Sequence, residues 1–306
     1  MSDATTNPTT TNPRTTGPTT TTVTTGSVTS ADGTTIGYRR LGRGPGLVLL
    51  HGAMESSVSH IELAQALASD FTCYLPDRRG RGLSGPHREG HGLRTEVADV
   101  AALLEETGAR LLFGVSSGSV VALRTALSVP AVTRAVVFDP PLPIDGSPSL
   151  AWLARHEREL AEGKTAAALV TGMKGTQMGP KVFDYVPRRL LEALTTKLMA
   201  REDGDAGPDD VPFRALAPTL RHDVRLVAEQ SRELEDLRAT RAEILLLVGG
   251  RSPAYMRVAA DALAKVLPHA ERAELPGLGH SASGNAAQRG APERVAPVLR
   301  RFLIRA

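Results

Sequence analysis

Leu111-Leu112-Phe113-Gly114-Val115-Ser116-Ser117-Gly118-Ser119-Val120 is the stretch that decides the fold of this chain. Its first five residues are apolar apart from one glycine, too few for a helix and without the polar alternation of a half-exposed strand. They read as a strand buried on both faces. The amphipathic run 120–127 follows almost at once and reads as a helix. Strand and helix must therefore meet at a tight turn that brings their backbones close together. Small residues two before and two after Ser116 meet that demand: Gly114 and Gly118, with Ser119 beyond. The Ser116 hydroxyl then projects from the turn at the helix N-terminus. A serine there can also serve merely to cap the helix.

Further apolar runs at 47–50, 72–75, 135–138 and 244–248 alternate with amphipathic stretches at 61–68, 96–104 and 255–267. Strands apolar on both faces, separated by helices, predict an α/β fold with a mostly parallel sheet flanked by helices. Ahead of them, Val28-Thr29-Ser30 and Thr34-Thr35-Ile36-Gly37-Tyr38 flank Asp32-Gly33, the signature of a β-hairpin. A strand at 272–275 and a helix at 293–304 close the chain. Between 141 and 240 the pattern changes to helix formers at 150–161, 188–199 and 214–238, without strand-like runs. That segment reads as an inserted helical cap on a core made of 27–140 and 241–306. Residues 1–26, half of them threonine, are expected to form a disordered tail.

Composition narrows the function. The 306 residues are 41% hydrophobic, enough for a large core. Lysine and arginine outnumber the acids by only 36 to 33, a net charge of +3 without a basic stripe, so nucleic acid is not an expected partner. The single cysteine, Cys73, excludes an internal disulfide and a cysteine-rich metal centre and suits a reducing compartment. No apolar run is long enough to span a membrane and no signal-peptide pattern opens the chain. A cytoplasmic protein acting on a small-molecule substrate is the expectation.

Two other segments bear on Ser116. His51-Gly52-Ala53-Met54 follows the strand 47–50, where a backbone N–H past the glycine, that of Ala53 or Met54, can join that of Ser117 to hold an oxyanion. His51 reads as a residue that orients its loop. Leu275-Pro276-Gly277-Leu278-Gly279-His280 follows the last strand and puts His280 at the carboxyl edge of the sheet, where sites in open parallel sheets form. His280 is the candidate general base. The remaining histidines, at 60, 87, 91, 156, 222 and 269, read as surface groups, with His222 placed to reach a substrate from the cap.

With Asp77-Arg78-Arg79-Gly80-Arg81-Gly82-Leu83-Ser84-Gly85, these motifs resemble the α/β-hydrolase fold family, specifically a capped serine hydrolase, over residues 27–306. The resemblance implies an acid behind His280. Many members carry it after the strand corresponding to 244–248, but here that segment reads Gly249-Gly250-Arg251-Ser252-Pro253. Some members place the acid one strand earlier, which makes Asp139, at the end of strand 135–138, the candidate. Asp139 can alternatively accept a loop hydrogen bond or pair with Arg251. Arg251 itself is a candidate to bind a substrate carboxylate. The implied activity is cleavage of an ester, lactone or thioester, or acyl transfer, through an acyl-enzyme on Ser116, with no metal or organic cofactor. A ligand-binding protein with slow turnover, or a lyase or cyclase using His280 in the same pocket, is the alternative.

Overall fold

Each apolar run read as a strand forms part of one eight-stranded sheet. The computed structural model describes residues 22–305 except 145, 146, 148, 180, 206 and 208. The strands are β1 (Thr24–Thr29), β2 (Thr35–Gly42), β3 (Gly46–Leu50), β4 (Thr72–Pro76), β5 (Leu111–Val115), β6 (Arg134–Phe138), β7 (Glu243–Gly249) and β8 (Ala270–Leu275). Their order is β1-β2-β4-β3-β5-β6-β7-β8, antiparallel across the first two joints and parallel across the rest. The hairpin turns at Gly33, whose φ of 80° suits glycine. β1 starts before the expected residue 27, because Thr24-Thr25-Gly26 pair with Arg40-Arg39-Tyr38 and extend the ladder. Residues 1–21 of the expected tail lie outside the described residues.

The helices are α1 (Ile61–Leu67), α2 (Leu93–Thr107), α3 (Ser117–Ser128), α4 (Leu153–Ala161), α5 (Thr165–Gly175), α6 (Arg188–Asp205), α7 (Phe213–Leu216), α8 (Leu220–Arg232), α9 (Ala254–Val266) and α10 (Pro292–Leu303). Alternation along each strand supplies both faces of the sheet. Leu47, Leu49, Phe113, Val136, Leu245 and Leu247 pack with α1 and α10. Val48, Leu50, Leu112, Val137, Leu246 and Val248 pack with α2, α3 and α9 on the opposite face. Each such buried side chain contributes about 1.5–3 kcal/mol, so the central strands are held firmly enough to fix the loops at their carboxyl ends.

The segment expected as a cap, 141–240, is helical but not uniform in its packing. α5 packs on both α4 and α6. α8 instead lies on α3, and its Leu226 and Val227 belong to the same apolar cluster as the central strands. The expected helix 214–238 is divided near Pro218, where a 3-10 turn (Ala217–Thr219) separates α7 from α8, and another (Glu235–Ala239) follows α8. α5 had no periodic signal, since Ala166-Ala167-Ala168-Leu169-Val170 is apolar all round.

Candidate active site

Ser116 occupies the turn between β5 and α3 with φ 54° and ψ −129°, a conformation that side-chain-bearing residues rarely adopt. Its surroundings hold it there. The Ser116 N–H donates to Phe138 O at 3.0 Å, and the Ser116 carbonyl accepts from the N–H and hydroxyl of Ser119 at 2.9 and 2.6 Å. The glycines are required by contact: a Cβ on Gly114 would lie 2.3 Å from Gly118 O, and one on Gly118 would lie 2.3 Å from His51 O. The N–H of Ser117, the first residue of α3, has no intrahelical carbonyl to bond and is left for another acceptor.

Asp139, fully buried just after β6 and also at positive φ, is the hub of the neighbouring strand ends. Its Oδ1 accepts the Gly249 N–H at 3.0 Å, and its Oδ2 accepts the Ser252 hydroxyl at 2.5 Å and lies 3.0 Å from His280 Nδ1. An ionised carboxylate only accepts, so Nδ1 carries the hydrogen and Nε2 keeps its lone pair. Of the alternatives for Asp139, the structure has the contact with His280 and none with Arg251. The Arg251 side chain is exposed and does not line the cavity described below, because its N–H is tied to Leu278 O at 2.8 Å. Nothing in its position brings it to a substrate there.

His51 orients its loop. Its Nδ1 donates to Gly52 O at 2.9 Å and its Nε2 accepts the Arg78 N–H at 3.1 Å. Burial, with Arg81 and Arg78 nearby, pushes its pKa down to about 3. Beyond it, Glu55 Oε2 accepts the Gly52 N–H at 2.6 Å and pairs with His60 Nε2 at 3.1 Å, while His60 Nδ1 bonds Ser283 O at 2.8 Å. These contacts tie the Gly52 loop to the 3-10 turn that carries His280. Burial opposes the His60 cation, but the Glu55 carboxylate outweighs it and raises the His60 pKa above its ordinary value. The stabilisation this brings is complete below pH about 6.5 and is lost as pH rises through the raised value. The melting temperature is therefore expected to fall as pH rises above about 6.5, and Glu55→Gln to flatten that decline in thermal melts.

A second buried network reaches from α8 to the residue after Ser116. Asp223 Oδ1 accepts from the Ser117 hydroxyl at 2.8 Å and from Arg78 Nη1 at 2.7 Å, and its Oδ2 pairs with Arg81. Arg78 also forks onto Glu96 at 2.7 and 3.0 Å. Burial works against the Asp223 anion, yet Arg81 and Arg78 prevail and hold its pKa below the ordinary value. Asp223→Ala would leave the buried Arg81 guanidinium without a carboxylate and Arg78 with Glu96 alone. It is expected to destabilise the protein by about 3–5 kcal/mol, visible as an earlier midpoint in urea unfolding.

The elements enclose a cavity of about 540 Å³. Ser116, Ser117, Ala53, Met54 and His280 line it on the core side, and Trp152, Met173, Met178, Leu198, Phe213 and Val224 line it from the helices of 141–240. Met54 has a φ of 60°, so its loop turns sharply at the cavity wall. Of the residues named from the sequence, the structure thus brings Ser116, Ser117, Ala53, Met54 and His280 to one cavity, with Asp139 behind His280. Sequence reading missed Ser252, Glu55, His60 and Asp223. It also placed His60 and His156 on the surface, whereas both are buried: each ring is bonded at both nitrogens, His156 to Ala168 O and Ala217 O.

Comparison with known proteins gives a consistent picture. Pyrrolizixenacetamide deacetylase from Xenorhabdus hominickii is 35% identical over 104 residues, 32% of this chain and 38% of that protein, so the match spans well under half of that relative. Pimeloyl-[acyl-carrier protein] methyl ester esterase from Xanthomonas axonopodis pv. citri is 27% identical over 272 residues, 86% of this chain and 96% of that protein. The crystal structure of an alpha/beta hydrolase from Sphaerobacter thermophilus superposes with a TM-score of 0.73 at 30% identity, covering 91% of this chain and all of that one. A model of the alpha/beta hydrolase family matches residues 47–298, from the third strand to within the last helix. The sheet order, the turn at Ser116 and this match together make the chain a member of the alpha/beta hydrolase family.

Proposed function

We propose that the protein is a serine hydrolase that cleaves an ester, lactone or thioester of a small apolar substrate through an acyl-enzyme. The observation that carries this reading is the Asp139–His280 hydrogen bond at the edge of a cavity that also presents Ser116. His280 Nε2 takes the proton from Ser116 Oγ as the oxygen attacks the substrate carbonyl, and Asp139 stabilises the imidazolium. The N–H of Ser117 and that of Ala53 or Met54 hold the oxyanion. His280 returns the proton to the leaving group, and water, activated by the same imidazole, releases the acid.

The apolar lining of the cavity supports a substrate of modest size with a hydrocarbon acyl group or ring. A curated relative that cleaves a methyl ester and another that is a deacetylase support acyl chemistry. In this reading 141–240 is the cap that selects the substrate, with α8 as its anchor on the core. No helix among the described residues is long and apolar enough to cross a membrane. Cys73, a free buried thiol, fits the reducing cytoplasm.

Labelling with a fluorophosphonate, followed by peptide mass spectrometry, tests the proposal. Modification is expected at Ser116 in the wild type and is expected to vanish in His280→Ala. An unlabelled Ser116 in folded protein would overturn the nucleophile and leave ligand binding or non-hydrolytic chemistry in the same cavity.

A further inference from the structure

Away from the cavity, three histidines converge between the loop before α2 and the first turn of α8. His87, His91 and His222 each offer one ring nitrogen, all within 4.8 Å of one another. Their ring centroids are separated by 3.8 Å (His87 to His222), 4.6 Å (His87 to His91) and 5.1 Å (His91 to His222). The His91 side chain is only 3% exposed, its Nδ1 has no hydrogen-bond partner among the described residues, and its Nε2 has only Glu96 Oε1, 3.4 Å away and not aligned for a hydrogen bond. His87 Nε2 is likewise buried and unpartnered. This is unusual within the molecule. Buried His51, His60 and His156 each have both nitrogens bonded. Unpaired buried polar atoms cost free energy, and two such rings, facing a third whose Nε2 takes the Arg221 Nε–H at 3.2 Å, point to a missing partner that accepts lone pairs.

We propose that His87, His91 and His222 bind a divalent transition-metal ion, with zinc the best match, and that the ion pins α8 to the loop before α2. Neutral imidazoles suit zinc, copper, nickel or cobalt, whereas magnesium and calcium prefer oxygen ligands. A tetrahedral zinc with Zn–N near 2.0–2.1 Å sets its ligand nitrogens about 3.3 Å apart, a contraction that turning His87 out of its stack on His222 supplies. Glu96 Oε1 lies 3.4 Å from His91 Nε2, placed to accept that N–H while His91 Nδ1 faces the ion, the usual support for a metal-bound histidine. A second cavity of about 310 Å³, lined by His91, Asp32 and Arg94 among others, adjoins His91.

The ion would not act on the reaction, since none of the three histidines lines the large cavity. Its place is structural. His222 adjoins Asp223, which holds the Ser117 hydroxyl, and Val224 and Val227 of the same helix line the cavity wall.

The test uses the untagged full chain, freed of metal by a chelator. Calorimetric titration with zinc is expected to give one equivalent bound and a higher melting temperature, with magnesium giving neither. Cobalt in place of zinc is expected to give the visible absorption of a tetrahedral site. His91→Gln and His222→Gln are each expected to weaken zinc binding by more than about a hundredfold, as removal of one of three protein ligands should. Should either variant fail to fold, protection of His87 and His222 from diethyl pyrocarbonate by zinc in the wild type, read by peptide mass spectrometry, replaces it. Failure of the wild type to bind zinc, unchanged affinity in the folded variants, or absence of that protection would each overturn the proposal.

Discussion

Ser116→Ala is expected to lower kcat on a p-nitrophenyl ester by about a million-fold while leaving KM within a few-fold. The reason lies in how the site is divided. Alanine keeps the backbone of the turn, which is fixed by Phe138 O and Ser119, so the cavity and the Ser117 N–H keep their places. Only the attacking oxygen disappears. His280→Ala is expected to cost about as much, and the double variant hardly more than either single one, because in the proposed mechanism Ser116 and His280 act as one unit. Initial rates for the three variants, with folding checked by circular dichroism, decide the matter. Additive losses would mean that Ser116 and His280 work separately and that the acyl-enzyme reading is wrong.

Asp139→Asn is expected to cost about ten-thousand-fold in kcat, with little loss of stability. The asparagine oxygen can still take the Gly249 N–H, which now meets Oδ1. Its amide nitrogen then replaces Oδ2 and presents hydrogens to Ser252 and to His280 Nδ1. The imidazole answers by moving its hydrogen to Nε2, and a protonated Nε2 cannot accept from Ser116. Kinetics at neutral pH provide the check. A loss of less than about tenfold would sink Asp139 as the orienting acid. Ser252→Ala removes one donor and leaves the tautomer intact, so it is expected to lower kcat by only about tenfold.

How much of this could be read from the sequence depended on how far apart the interacting residues lie. β3, β5, β6 and β7 were legible because burial on both faces leaves an unbroken apolar run. The turn at Ser116 was legible because its small residues flank the serine directly, although only the Gly114 contact, with Gly118 O, is local and Gly118 is demanded by the distant His51 O. His280 and Asp139 were legible from their positions at strand ends. Asp223 was not. It looks like any acid on an amphipathic helix, and its burial arises only when α8 docks on α3, 106 residues away from Ser117 in the chain. His60 was hidden in the same way, since the carbonyl it bonds belongs to Ser283. For His87 and His91, a polar, glycine-rich loop suggested exposure, and only the approach of His222 closes over them. Arg251 misled in the opposite sense. Its charge drew attention, whereas the neighbouring Ser252 makes the contact to Asp139.

The seating of α8 on α3 sets a rule for exchanging lids between relatives. A chimera cut at residue 240 would remove Asp223, Leu226 and Val227 and leave Arg81 without its carboxylate, Arg78 with Glu96 alone, and a gap beside the central strands. Joining the donor segment before Leu220 keeps that helix with its own sheet. The transplantable unit in this protein is therefore shorter than its run of helices, and a library of grafted lids should be built to end near Leu216.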